Sequence, residues 1–201
     1  MTVRGCSVRN GDDCMTVKSG SSNVLVEDLY CEHGDGLTIG SVWYDDITNV
    51  TYRRVVMNNT HNGPMIKGRS QGNATVSNVL FEDVTLIGVY LGLTVDCVYE
   101  TEGSVQRNIG VQARNITFRN IHGTVTGGAG GGGGSRGDPS MIVDSAGSFI
   151  CLPARPCSVK LIGIAISQLN PVLNTSAPEW LCNHTQIEAS SVNPPLTNAC
   201  I

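Results

Sequence analysis

Apolar and polar side chains alternate along this chain in short bursts, and the bursts repeat. Asn23-Val-Leu-Val-Glu-Asp-Leu29, Asn49-Val-Thr-Tyr-Arg-Arg-Val55, Asn78-Val-Leu-Phe-Glu-Asp-Val84 and Asn115-Ile-Thr-Phe-Arg-Asn-Ile121 are copies of one pattern, with Ser158-Val-Lys-Leu-Ile-Gly-Ile164 a degenerate fifth. Each copy predicts a short strand with one buried face. The leading Asn suits a turn, because it tolerates left-handed backbone and bonds its own main chain. The Asn positions lie 26, 29 and 37 residues apart, with no amphipathic helix between them. Short β segments recurring at that irregular period predict an all-β right-handed parallel β-helix, each coil stacked on its neighbours. A β-sandwich would show hairpin signals every 8–12 residues or so.

One stretch interrupts the pattern. Residues 127–139 are almost all glycine, flexible because glycine loses the most backbone entropy on ordering, and they read as an insertion between two coils. The Arg136-Gly137-Asp138 tripeptide inside it is incidental. Residues 1–170 therefore form the β-helix. Residues 171–201, rich in Pro, Ser and Asn, form a C-terminal cap or tail anchored by Trp180 and Cys182.

A chain of 201 residues, 40% hydrophobic, suits one domain with a real core. With 13 basic against 17 acidic residues and a pI near 5.5 it offers no patch for nucleic acid, so any polyanion binding must be local. Eight cysteines without paired Cys-x-x-Cys units point to disulfides and away from structural zinc. Six glycosylation sequons begin at Asn49, Asn58, Asn73, Asn115, Asn174 and Asn183. Both features favour secretion from a eukaryotic cell. No apolar run reaches the roughly 18 residues of a membrane span. Residues 1–15 lack a signal-peptide pattern, which for a secreted protein predicts a missing N-terminus.

The densest candidate chemistry is Asn10-Gly-Asp12-Asp13-Cys14. Hydrolysis of a glycosidic bond needs one protonated carboxyl for the leaving oxygen and a carboxylate to activate water. Adjacent strand residues face opposite ways, so Asp12 and Asp13 enter one cleft only where the backbone bends, and Gly11 makes such a bend cheap. Two close carboxylates also raise one pKa. A capped turn accounts for the same residues. Cys14 and Cys31 flank the Asn23 strand, where one coil brings them together as a disulfide.

The order of motifs carries more than each alone. Asp12-Asp13-Cys14, then Cys31 and Gly36-Leu-Thr-Ile-Gly-Ser41, then Met65-Ile-Lys67 resemble the active-site segments of glycoside hydrolase family 28, the polygalacturonase family. Where polygalacturonases carry His before Gly-Leu-x-Ile-Gly this chain has Asp35, and their Arg-Ile-Lys is Met65-Ile-Lys67. Both departures look like the rhamnogalacturonan hydrolase branch, as do the run from Met65 to Asp83, the pair Cys151 and Cys157, and Trp180-Leu-Cys182 with Cys200. Asp12-Asp13 itself is the polygalacturonase form.

The resemblance implies a secreted, monomeric pectinase that needs no metal or cofactor and hydrolyses galacturonate-containing backbones by inversion, rhamnogalacturonan in preference to homogalacturonan. It implies Asp13 as general acid, Asp12 as base, and Lys67 against a galacturonate carboxylate beside Met65. It also implies disulfides Cys151–Cys157 and Cys182–Cys200. His33 is a candidate to orient a carboxylate or substrate; Tyr90 is a candidate to bond or stack on sugar, and Tyr99 and Trp43 share its ambiguity with packing roles. A third Asp that the family places about 20 residues before the acid pair has no position in this chain, and the upstream coils are absent with it. Rival readings are a polygalacturonase, a Ca²⁺-dependent lyase of the same fold, and an inactive pectin-binding relative.

Overall fold

The computed structural model describes residues 1–99, 110–126, 145–169 and 179–200. Its strands run β1 (Thr2–Arg9), β2 (Asp13–Val17), β3 (Ser22–Glu32), β4 (Gly36–Val42), β5 (Ile47–Asn58), β6 (Pro64–Arg69), β7 (Thr75–Val89), β8 (Leu93–Tyr99), β9 (Gln112–Val125), β10 (Ser145–Ile150), β11 (Cys157–Gln168), β12 (Glu179–Asn183) and β13 (Thr185–Asn193). Odd-numbered strands build a seven-stranded sheet in the order β1-β3-β5-β7-β9-β11-β13, and even-numbered strands a six-stranded one from β2 to β12. Every pairing between named strands is parallel. The fold is the expected parallel β-helix, one long and one short strand per coil.

The burst pattern has a backbone cause. Asn23, Asn49, Asn78 and Asn115, the leading residues of the four copies, all have φ between 52° and 56°, the left-handed geometry that asparagine tolerates. A second row of positive φ falls five residues on, at Asp28, Arg54, Asp83, Asn120 and Gly163. Each such residue adds one outward position, so inward residues are spaced three, two, three, two. In β5 they are Ile47, Val50, Tyr52, Val55 and Met57, and in β7 they are Val76, Val79, Phe81, Val84 and Leu86. Side-chain amides bridge the bends, Asn49 donating to Asn23 at 3.1 Å, Asn115 to Asn78 at 2.8 Å and Asn120 to Asp83 at 2.6 Å.

Register then stacks like upon like. Tyr52, Phe81 and Phe118 share one row, their rings nearly parallel at 5.3 and 5.2 Å, and Phe149 and Trp180 extend the stack at 5.9 and 5.8 Å. Offset aromatic pairs of this kind add about 0.5–1.5 kcal/mol each to simple burial. Within the region read as a cap, β12 and β13 add the last strand to each sheet, and buried Trp180 donates to the Pro194 carbonyl at 2.8 Å. The glycine run at 127–139, with its Arg-Gly-Asp, and the sequon at Asn174 lie outside the described residues.

On the outer face of the long sheet Glu27 is almost completely buried. It accepts from Arg53 at 2.7 Å and Arg54 at 2.5 Å and pairs with Arg4. The hydrogen bond from Arg53, reinforced by Arg4 and Arg54 against the cost of burial, holds its carboxyl at about 2.

Candidate active site

The six-stranded sheet carries the site, and the loop between β1 and β2 delivers its first carboxylates. Asn10 donates to the Asp13 carbonyl at 3.1 Å, and the Asp12 carboxylate accepts from the Asp13 N–H at 2.7 Å. Asp13 opens β2 opposite Gly36, and Met15 sits opposite Leu37, so a bulge falls at Cys14. That bulge is the bend that two adjacent Asp need to reach one cleft.

The next coil closes on this loop. The Asp35 N–H donates to the Asp12 carbonyl at 2.7 Å. A Cβ at Gly34 would stand 2.6 Å from that same carbonyl oxygen and 2.7 Å from the Cys14 sulfur, so only glycine allows the approach. The approach brings in a carboxylate that the sequence reading noted only as a departure: one oxygen each of Asp12, Asp13 and Asp35 lie within 4.8 Å of one another. Asp12 is exposed, Asp35 is half-buried, and the Asp13 side chain is mostly buried.

Lys67 completes the cluster. Its ammonium lies 2.9 Å from Asp13 Oδ1, with side chains 8% and 11% exposed respectively, and the buried Thr38 hydroxyl donates to the same oxygen at 2.5 Å. Met65 and Lys67 share the outward face of β6, as the two-residue spacing requires. Burial pushes the Asp35 carboxyl upward, with Asp13 and Asp12 adding to the rise and Lys67 and His61 opposing it. Three carboxylate oxygens this close are the donor type that hard cations take, but here Lys67 already supplies a positive charge to Asp13.

Of the imidazoles, His61 is the one whose charge Asp35 and Lys67 feel, and burial lowers its pKa. It stacks on Tyr90 at 4.9 Å, which sets Tyr90 at the edge of the site. His33, the residue singled out from sequence, instead lies 3.5 Å from Glu32, exposed at a left-handed bend. What separates the two is the turn each occupies, which one sequence without coordinates does not disclose.

The disulfides divide. Cys151–Cys157 and Cys182–Cys200 are formed. The expected Cys14–Cys31 bond is not: both are buried free thiols in hydrogen-bond contact behind the acid loop. That contact lowers the pKa of Cys14 and, with burial, raises that of Cys31. Cys97 is a third buried thiol, 3.5 Å from the Cys157 sulfur, and is no partner for Cys6. Among the sequons, Asn49 and Asn115 commit their amides to the ladder above, Asn58 donates to the Tyr30 hydroxyl at 3.0 Å, Asn73 accepts from Arg155, and Asn183 is exposed.

Three carboxylates and a lysine thus meet on the six-stranded sheet of a parallel β-helix. Comparison with known proteins gives the family: the pattern of Glycosyl hydrolases family 28 matches residues 1–130, and the chain belongs to it. It is similar to rhamnogalacturonase A of Aspergillus aculeatus, 39% identical over 63% of this chain and 29% of that protein. It is also similar to a polygalacturonase of Prunus persica, 27% identical over 97% of this chain and 46% of that protein. The crystal structure of the endo-xylogalacturonan hydrolase of Aspergillus tubingensis superposes with a TM-score of 0.72 at 20% identity, over 96% of this chain and 51% of that one. The chain thus spans between about a quarter and a half of these relatives' length.

Proposed function

We propose that the chain carries the catalytic groove of a secreted, monomeric pectinase that hydrolyses galacturonate-containing backbones, with rhamnogalacturonan preferred. The three-carboxylate cluster with its lysine is the observation that supports this reading. The rhamnogalacturonase similarity at 38–39% identity over the motif-bearing region favours that polymer, and Met65 in place of a second cation agrees with it.

The hydrogen bonds support roles exchanged from those the family resemblance implies, Asp13 as acid and Asp12 as base. Asp13 Oδ1 accepts from both Lys67 and Thr38, which suits a water-activating base better than a proton donor. The proton then comes from the Asp12 and Asp35 side of the cluster, where burial pushes the Asp35 carboxyl upward. Asp12, being exposed, reaches the glycosidic oxygen, and half-buried Asp35 stands beside it. Water attacks the anomeric carbon as the bond to the leaving oxygen breaks; Asp13 takes the water's proton and the Asp12–Asp35 pair supplies one to the leaving group. Lys67 holds Asp13 in place and lies within reach of a sugar carboxylate. The cluster is tighter than the about 6.5–9.5 Å between the carboxyls of a two-residue inverting site, so inversion requires water to enter beside the cluster rather than between its members.

The test is reducing-end release from rhamnogalacturonan and from polygalacturonate, with a chelator present. Asp13→Asn abolishes cleavage, and Asp35→Asn lowers kcat, because the carboxyl whose pKa burial raises is gone. Chelator-sensitive cleavage would mark the lyase reading instead, and pectin binding without cleavage the inactive one.

A further inference from the structure

We propose that Arg69, framed by Trp43 and Tyr99, forms a subsite for the carboxylate of an acidic sugar beside the carboxylate cluster. The inference rests on the proposed function only for the class of polymer.

The three residues come from the same ends of neighbouring strands. Arg69 closes β6 opposite Tyr99, the last residue of β8, and Trp43 follows β4. The guanidinium lies 5.3 Å from the centre of the Trp43 ring and 4.7 Å from that of Tyr99. One nitrogen donates to Ser41 at 3.2 Å. Its Nε and Nη1 are shielded from water and have no acceptor among the described residues. Shielded donors without partners are costly, and a guanidinium between two rings is a planar site for carboxylate recognition.

Arg4, Arg9, Arg53, Arg54 and Arg119 each meet an acidic side chain, whereas Arg69, like Arg114 and Arg155, forms no ion pair among the described residues. The net charge of the chain is −4, so a cation left unpaired here is a local feature and no part of a general basic surface. Tyr99 joins it to the catalytic cluster, for the Lys67 ammonium lies 5.9 Å from the same ring. Lys67 is engaged by Asp13; Arg69 is available to a ligand.

The surroundings suit a pyranose. Trp43 is 38% exposed and Tyr44 67% exposed, with ring centres 6.1 Å apart and planes tilted by 39°, two exposed aromatic faces at the mouth of the subsite. Trp43 lies on the loop after β4 and is the wall that yields as a ligand oxygen reaches Nε and Nη1.

The experiment uses the full chain carrying Asp13→Asn to stop turnover, titrated calorimetrically with tetragalacturonate and with its fully methyl-esterified form. Arg69→Met, which keeps the flat packing and removes the charge, weakens the acid by about tenfold or more and leaves the ester unchanged, tenfold being the loss of one good charged contact. Arg69→Lys recovers part of the difference, and Trp43→Ala weakens both ligands. Equal melting temperatures for the variants exclude misfolding. The inference is overturned if Arg69→Met binds the acid within twofold of the parent, if it loses both ligands equally, or if the parent binds neither. Arg69-dependent binding by a chain that cleaves no polymer would leave this subsite standing and remove only the hydrolase reading.

Discussion

Replacing Lys67 with Met tests how the cluster is held. The Nζ to Oδ1 contact is 2.9 Å and both side chains are about nine-tenths buried, so the variant leaves the Asp13 carboxylate with the Thr38 hydroxyl as its side-chain donor among the described residues. Removing one partner of a buried pair costs about 3–5 kcal/mol, because the other charge stays desolvated. Asp13 keeps the hydrogen bond from Thr38, so the lower end, about 3 kcal/mol, is expected. Asp13→Asn removes the orphaned charge, and combining it with Lys67→Met returns a large part of the loss. Urea unfolding of the parent, both single variants and the double variant at neutral pH measures the coupling, expected to be at least about 1.5 kcal/mol. Additivity within about 0.5 kcal/mol would refute the claim that the ion pair governs Asp13.

Three further outcomes follow from other parts of the molecule. Phe118→Ala removes the middle of the aromatic stack, with rings on both sides, and lowers unfolding free energy by about 5 kcal/mol, the top of the range for buried Phe to Ala, read by chemical denaturation; a loss under about 2 kcal/mol contradicts the stack. Glu27 has its carboxyl lowered to about 2 from 4.5, so its stabilisation is fully present above pH about 4.5 and is lost as pH falls toward about 2. The gap in urea midpoint between parent and Glu27→Gln therefore narrows over that window, and a pH-independent gap rejects the assignment. Gly34→Ala forces a Cβ against the Asp12 carbonyl and displaces the acid loop; kcat drops by about a hundredfold, as misplacements near 1 Å do, and an unchanged kcat would show that the loop has slack.

Much of the fold was legible because its physics is local. An Asn at the head of each burst prefers the left-handed bend that every coil needs, and inward Val, Phe and Ile positions follow at fixed offsets. The second bend was hidden, since Arg54 carries no turn preference and adopts positive φ only because the coil above and below does. In the site, Asp12, Asp13 and Lys67 were readable from the resemblance of their motifs to the family, and the structure brings them together. Asp35 was seen as a departure without being seen as a member, because only the closure of Gly34 on the Asp12 carbonyl puts the two loops in contact. His61 was missed and His33 preferred for a similar reason: two turns with equal polarity differ only in which one faces the groove. The Cys14–Cys31 bond was read from proximity, which the structure confirms, while the bond itself is not made.

The most direct measurement is cleavage of rhamnogalacturonan by the chain in oxygen-18 water, followed by proton NMR and mass spectrometry of the first products. One labelled oxygen at each new reducing end, with the anomer inverted, is the result this account predicts. An unsaturated uronate without label, or no product at all, would contradict it.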